Sequence, residues 1–351
     1  DLAKTTLDTY VKTNAAKVAA TQKAWEDNIT ASAAKLAAYE PTLPEKTAAW
    51  EKGLTNVANA TAWHPLKFGE LKATTATTKL AQLPDGSVLV SGAGGNVDYT
   101  LIAETMLTNI TGVQIAAISD LSLPNFGPGR APDGNFVLSE LQFGYSTNAA
   151  KDKFADLGFK EAKADFSQAD FDVKKAIDGN VTAGGNGWAV SPKTSEPRVA
   201  VFQLAKPAVD EKGAKLRFQL VHKYADPYTL GRFRISVMTG TQPLDYGYPR
   251  EVLDALAVPA TQRTKEQQEA LIAHFRVVDA ELRKLAHATV TAKIPLPIDP
   301  KLVELQGLLA KANQPVPLDP KLVQLREDVA ASTTQLGNKR LTGAQDLVWA
   351  L

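Results

Sequence analysis

Cysteine is absent from the 351 residues, and there are only two methionines and four histidines. Without cysteine there is no disulfide, no cysteine-ligated zinc, no thiol nucleophile and no Cys-x-x-Cys-His haem attachment. His64, His222, His274 and His287 stand far apart with no metal-type spacing. A histidine-rich metal centre or a His-based triad would have to be assembled by the fold alone. Charge of one sign is also lacking. Thirty-nine Lys and Arg stand against 38 Asp and Glu, so no net basic field exists to hold nucleic acid as the main partner. No apolar run approaches the roughly 20 residues that span a bilayer. No Gly-x-Ser-x-Gly elbow, phosphate-binding loop or His-Glu-x-x-His motif occurs, and "SGAGG" at 91–95 lacks the strand-to-helix setting of a nucleotide loop. The chain is therefore read as no enzyme. Glycoside hydrolysis by paired carboxylates is the least favoured function, since only the fold sets such pairs.

What is present is a globular composition. Hydrophobic residues make up 44% and charged ones 22%, which argues against wholesale disorder. Both ends fall inside helical patterns, so the expectation is a piece of a larger protein. Three regions follow. In 1–56, Leu7, Val11, Val18, Trp25, Ile29, Leu36 and Tyr39 fall on steps of four and three, or sums of these, like one coiled-coil seam. "EPTLPEK" then breaks the helix at its prolines. In 57–245, short strand-like runs alternate with Gly, Pro, Asp and Asn, and "LPDGS" reads as a turn between two of them. Leu216, Phe218 and Leu220 share one face, as do Phe233, Ile235 and Val237, while Arg217, Arg232 and Arg234 point the other way. Those arginines form either a basic patch or a solvated sheet face. In 246–351, Thr264 with Gln267 is a capping box, and Leu271, Phe275, Val278, Leu282 and Leu285 form another stripe. "PIDPKLVELQGLLA" at 297 and "PLDPKLVQLREDVA" at 317 repeat one helix start, with Asp as N-cap and Pro first in the helix.

The predicted fold is mixed. An antiparallel β-sandwich of jelly-roll type is inserted between N- and C-terminal helical segments that pair as a coiled-coil-like stalk.

Glu140 is the first candidate for chemistry. In "FVLSELQF" both alternating faces are largely apolar, so a carboxylate there is costly unless it is paired or coordinated. "AIDGNVTAGGNGW" at 176–188 offers Asp178, Asn180 and backbone carbonyls, which suits Ca2+. The alternative is an arginine or loop amides on Glu140 and an ordinary Asp-Gly-Asn turn. The stiff loop "GPGRAPDGN" at 127–135 places Arg130, Asp133 and Asn135 at a strand end, either for a ligand or as a well-made turn. Trp63 and Trp188 sit beside turn residues. They are either platforms for the apolar faces of sugars or parts of the core.

"DGSVLVSG", "ITGVQIAAISDLSLPNFGPGRAPDGNFVLSE", "ADFSQADFDVKKAIDGN", "LGRFRISV" and "LTGAQDLVWAL" together resemble the non-haem part of planctomycete-type cytochrome c domain proteins. The resemblance runs from about residue 50 onward. It implies a large exported multidomain protein, periplasmic or at the cell surface; the haem motif itself is not in this stretch. "AIDGNVTAGGNGW" and "LSELQF" are similar to the Asp-Gly turn and Glu strand of discoidin, galactose-binding-like sandwiches. That resemblance implies structural Ca2+ held by Asp178, Asn180 and Glu140. The expected function is a non-catalytic polysaccharide-binding module whose partners are a glycan and other domains of the same protein. The alternative is a scaffold that positions a haem c domain by binding protein.

Overall fold

The structure, a computed structural model, describes residues 2–147, 153–182, 184–208 and 213–350, the side chains of 341 and 342 excepted. The chain divides into two compact units, Ala24–Pro295 on the one hand and Asp1–Lys23 with Leu296–Leu351 on the other. Helix α1 (Leu2–Tyr39) crosses that division.

In the larger unit the first strands are β1 (Ala62–Pro65), β2 (Glu70–Ala73), β3 (Thr78–Gln82), β4 (Val88–Gly92), β5 (Tyr99–Thr105) and β6 (Ile110–Ala117). They are followed by β7 (Glu140–Thr147), β8 (Ala155–Leu157), β9 (Phe159–Ala164), β10 (Arg198–Ala208), β11 (Ala214–Val221), β12 (Arg232–Thr239) and β13 (Tyr248–Pro249). One sheet has the order β13-β1-β12-β6-β10-β9, with the β3–β4 hairpin joined to β12, and the other runs β2-β5-β11-β7-β8. Pairing is antiparallel except for the parallel β1–β13 contact. The β3–β4 turn is the expected one: Leu83 N donates to Ser87 O at 2.7 Å, and Gly86 has φ +77°.

Period-two alternation builds the core between the sheets. Leu216, Phe218 and Leu220 of β11 meet Phe233, Ile235 and Val237 of β12 in one cluster, all fully buried. The opposite faces separate the three arginines. Arg217 lies on the five-stranded sheet and pairs with Asp156 at 2.6 Å, while Arg232 and Arg234 lie on the eight-stranded one. They form neither a shared patch nor a solvated stripe. The outer side of β12 is itself covered, so six consecutive residues of that strand are buried.

Helices α2 (Leu43–Lys52), α3 (Arg250–Leu256), α4 (Lys265–Val278) and α5 (Ala280–Ala292) complete this unit. Leu43, Phe275 and Leu282 form their small core with Leu36 and Tyr39 of α1. Thr264 and Gln267 make the expected capping box. The stripe from Leu271 to Leu285 is broken at Asp279, whose ψ of 112° ends α4 and whose carboxylate accepts from Glu281 N to start α5. That break turns Val278 outward.

In the smaller unit α6 (Pro300–Ala312) and α7 (Pro320–Gly337) both start as expected. Asp299 and Asp319 accept from the amides of Lys301 and Lys321, with proline first in each helix. Helix α8 is Lys339–Trp349. Tyr10 donates to Asp299 Oδ2 at 2.7 Å. Val11 and Val18 are exposed although they belong to the heptad stripe, and α1 buries no residue fully. Among the described residues no helix is long and apolar enough to cross a membrane.

Candidate functional site

The register of β7 on β11 places Leu141 opposite Leu220 and Phe143 opposite Phe218, in the inter-sheet core. Glu140 must then point the other way, to the outer face of its sheet. There it is 7% exposed. The amide of Gly179 donates to its Oε2 at 3.2 Å and is the one donor it has among the described residues. Among the described residues no arginine or lysine pairs with it. Burial, aided by the charge of Asp178, pushes its carboxyl up to about 7, with the Gly179 amide working against that rise. Asp178 and Asn180 are exposed, and each accepts from an amide two residues on, Asn180 N and Thr182 N respectively. These are Asx turns. Gly179, at φ +80°, supplies the left-handed step between them. Ala183 of this loop lies outside the described residues.

The far end of the same loop is joined to the lead-in of β7. Leu138 and Trp188 exchange both backbone hydrogen bonds at 2.9 Å. A Cβ on Gly187 would lie 2.1 Å from Leu138 O, so only glycine allows that approach. Gly184 N donates to Lys223 O, and Ser139 Oγ accepts from Lys223 N. Thus 178–188 and 223–228 meet at one end of the sheets.

The loop 127–135 joins the same end. Arg130 N donates to Thr229 O, and Val137 N to Tyr228 O. Its side chains are mostly occupied. The guanidinium of Arg130 donates to the carbonyls of Gly92 and Ala93. Asn135 is buried: its Oδ1 accepts from Val190 N and its Nδ2 donates to Gln168 Oε1. Asn135 is therefore a buried brace, which corrects its expected role as a ligand residue. Asp133 accepts from Asn135 N at 3.1 Å and is exposed.

Both tryptophans expected as sugar platforms are 0% exposed. Trp63 packs with Val201 and Met238 on the outer side of the eight-stranded sheet, and its indole donates to Asp245 O. Trp188 meets Phe136 edge-on and donates to Phe166 O. Neither presents a face to a ligand. The physical reason is that the strand-end segments are overlaid by further chain, at 242–249 for Trp63 and by the 136–139 lead-in for Trp188.

The rings at this end that do reach solvent were not singled out by sequence. Phe171 meets Tyr224 edge-to-face with centroids 5.3 Å apart, and Tyr224 meets Tyr228 in the same way, also at 5.3 Å. Tyr224 is exposed and the other two are half-buried. Burial, with the charge of Asp133 beside it, pushes the Tyr228 phenol up. Asp133 and Asp226 are exposed on the flanking loops. Residues 171 and 224 stand 53 positions apart, and no spacing rule links them. The only local signal is "KYADPY", two tyrosines around an Asp-Pro turn.

Among the described residues no group of three or more His, Cys, Asp and Glu gathers to hold a metal ion. A cation at Glu140 would rest on two carboxylates, Asn180 and backbone oxygens. In comparisons with known proteins, no family model and no curated protein matches the chain.

Proposed function

We propose that the chain is a non-catalytic carbohydrate-binding module of a larger exported protein, taking its ligand at the loop end of a galactose-binding-like sandwich. The observation that carries this reading is the stepped set of solvent-reaching rings Phe171, Tyr224 and Tyr228 beside the exposed carboxylates of Asp133 and Asp226. Sugars offer flat C–H faces to aromatic rings, while carboxylates accept from their hydroxyls. The loops beneath are tied by backbone hydrogen bonds, so little order is lost on binding. Screening the chain against neutral, acidic and sulfated glycans tests the reading, and silence across all three classes contradicts it.

Calcium belongs to the same proposal. A buried carboxylate with one amide donor, no cationic side chain among the described residues and a second carboxylate nearby fits a hard cation. Glu140, Asp178 and Asn180 would hold it together with turn carbonyls, and its charge would fix the 178–182 turn under the rim.

A second reading is favoured by the smaller unit. Leu322, Leu325, Val329 and Leu336 of α7 are exposed, and Trp349 of α8 is 93% exposed. Large apolar surface of this kind marks protein contact. A scaffold that docks other domains of the parent protein through these helices is the alternative, and sedimentation with and without such domains separates the two.

A further inference from the structure

Two arginines of β12, two residues apart, point to the same outer face of the eight-stranded sheet and have opposite surroundings. Arg232 is partnered at all three nitrogens: it pairs with Asp85 at 2.6 Å and Asp120 at 2.9 Å, and its Nε donates to Ser87 Oγ at 3.0 Å. Arg234 is 8% exposed, yet its hydrogen bonding among the described residues is one long contact, Nη1 to Asp85 O at 3.4 Å. Its Nε is buried without a partner. A buried guanidinium has five N–H donors and pays heavily for each left unmet.

Arg234 lines a cavity of about 480 Å³ inside the larger unit, between the sheet and helices α3 and α4. His274 stands in the same cavity, held between the rings of Trp50 and Tyr248, and its Nδ1 is also buried without a partner among the described residues. Burial, helped by the charge of Arg234, pulls the imidazole down to about 4, so it is neutral at pH 7. The remaining charged lining is Lys67, Asp85, Glu251, Glu266 and Glu269. Asp85 already serves Arg232. Glu251, Glu266, Glu269 and Lys67 are exposed, so the rim carries three carboxylates against one ammonium group, a net acidic rim above a cationic floor.

That polarity selects a ligand. Two unpartnered polar groups at depth call for an oxyanion. Three carboxylates at the rim repel a dianion and attract an ammonium group. We propose that this cavity binds a small zwitterion of the α-amino-acid type, its carboxylate on Arg234 and His274 and its ammonium group toward Glu251, Glu266 and Glu269. The site is separate from the aromatic rim and does not depend on carbohydrate binding.

Isothermal titration of the full chain with the common α-amino acids, acetate, ethylamine and inorganic phosphate tests it. The best amino acid binds about tenfold or more tightly than either acetate or ethylamine, and phosphate gives no heat. Arg234→Gln removes the amino-acid heat. Glu269→Gln alters an exposed rim residue whose own ion pair, with Lys265 at 3.4 Å, lies on the surface of α4, so the fold is kept even if Arg234→Gln does not fold. It weakens the amino acid several-fold and does not weaken acetate. The inference is overturned if no amino acid binds at millimolar concentration, if phosphate or acetate binds as well as the amino acids, or if Glu269→Gln leaves amino-acid affinity untouched.

Discussion

Tyr224 and Tyr228 meet edge to face at the loop end of the sandwich, with 88° between their planes. Ala225, Asp226 and Pro227 separate them, in a turn closed by Tyr228 N donating to Ala225 O. Such a pair contributes on the order of 1 kcal/mol beyond its buried area. Tyr224 makes two such contacts but is itself exposed, so Tyr224→Ala should cost about 1–2 kcal/mol in urea unfolding. Trp188→Ala, which empties a fully buried indole site, should cost about 3–5 kcal/mol in the same measurement.

Glu140 carries a signed pH dependence. Its folded carboxyl, near 7, lies above the ordinary 4.5. A raised acid contributes its full relative stability below the unfolded value, and loses it as pH rises from about 4.5 through 7. The span corresponds to about 3 kcal/mol at most. Glu140→Gln, which keeps the Gly179 contact and removes the charge, should be more stable than the parent at pH 8. The two should converge near pH 4. Denaturant titrations at both pH values check this.

If the proposed site holds calcium, the ion should reverse that difference. Millimolar Ca2+ at pH 8 should raise the unfolding temperature of the parent by several degrees and leave Glu140→Gln unmoved. Thermal unfolding with Ca2+, with Mg2+ and with chelator reads the result.

His222 has the opposite sign. It is fully buried, with Nδ1 2.9 Å from Val97 O and Nε2 accepting from Leu230 N at 3.4 Å, a pairing that requires the neutral ring. Burial pulls it down to about 4 from 6.5. Stability from this histidine is fully present above 6.5 and is lost as pH falls toward 4, by an amount on the order of 3 kcal/mol. A ring-proton NMR titration should show His222 still neutral at pH 5.

Alternation and capping were legible in the sequence because they depend on neighbours a few residues away. Leu216, Phe218 and Leu220 went to the core, and Asp299 and Asp319 capped their helices, as read. The burial of Glu140 was legible too, from the apolar residues on either side of it. What covers a strand was not. Trp63 and Arg234 face outward from the eight-stranded sheet, and only the return of the chain through 242–249 and α3–α4 buries them. For the same reason Asn135 reads as a free loop amide until Val190 and Gln168, over thirty residues away, occupy it. The heptad stripe through Val278 failed at one residue, because Asp279 bonds better as a cap and as the acceptor of Tyr39 than inside a helix.

Glycan binding by the parent and by a Tyr224→Ala, Tyr228→Ala double variant, read by calorimetry at equal stability, is the most direct measurement. The rim predicts a glycan that binds the parent and loses at least tenfold in affinity to the double variant, since stacking on two rings is removed while the fold stands. Equal affinity in the two proteins, or a parent that takes no glycan at all, contradicts it.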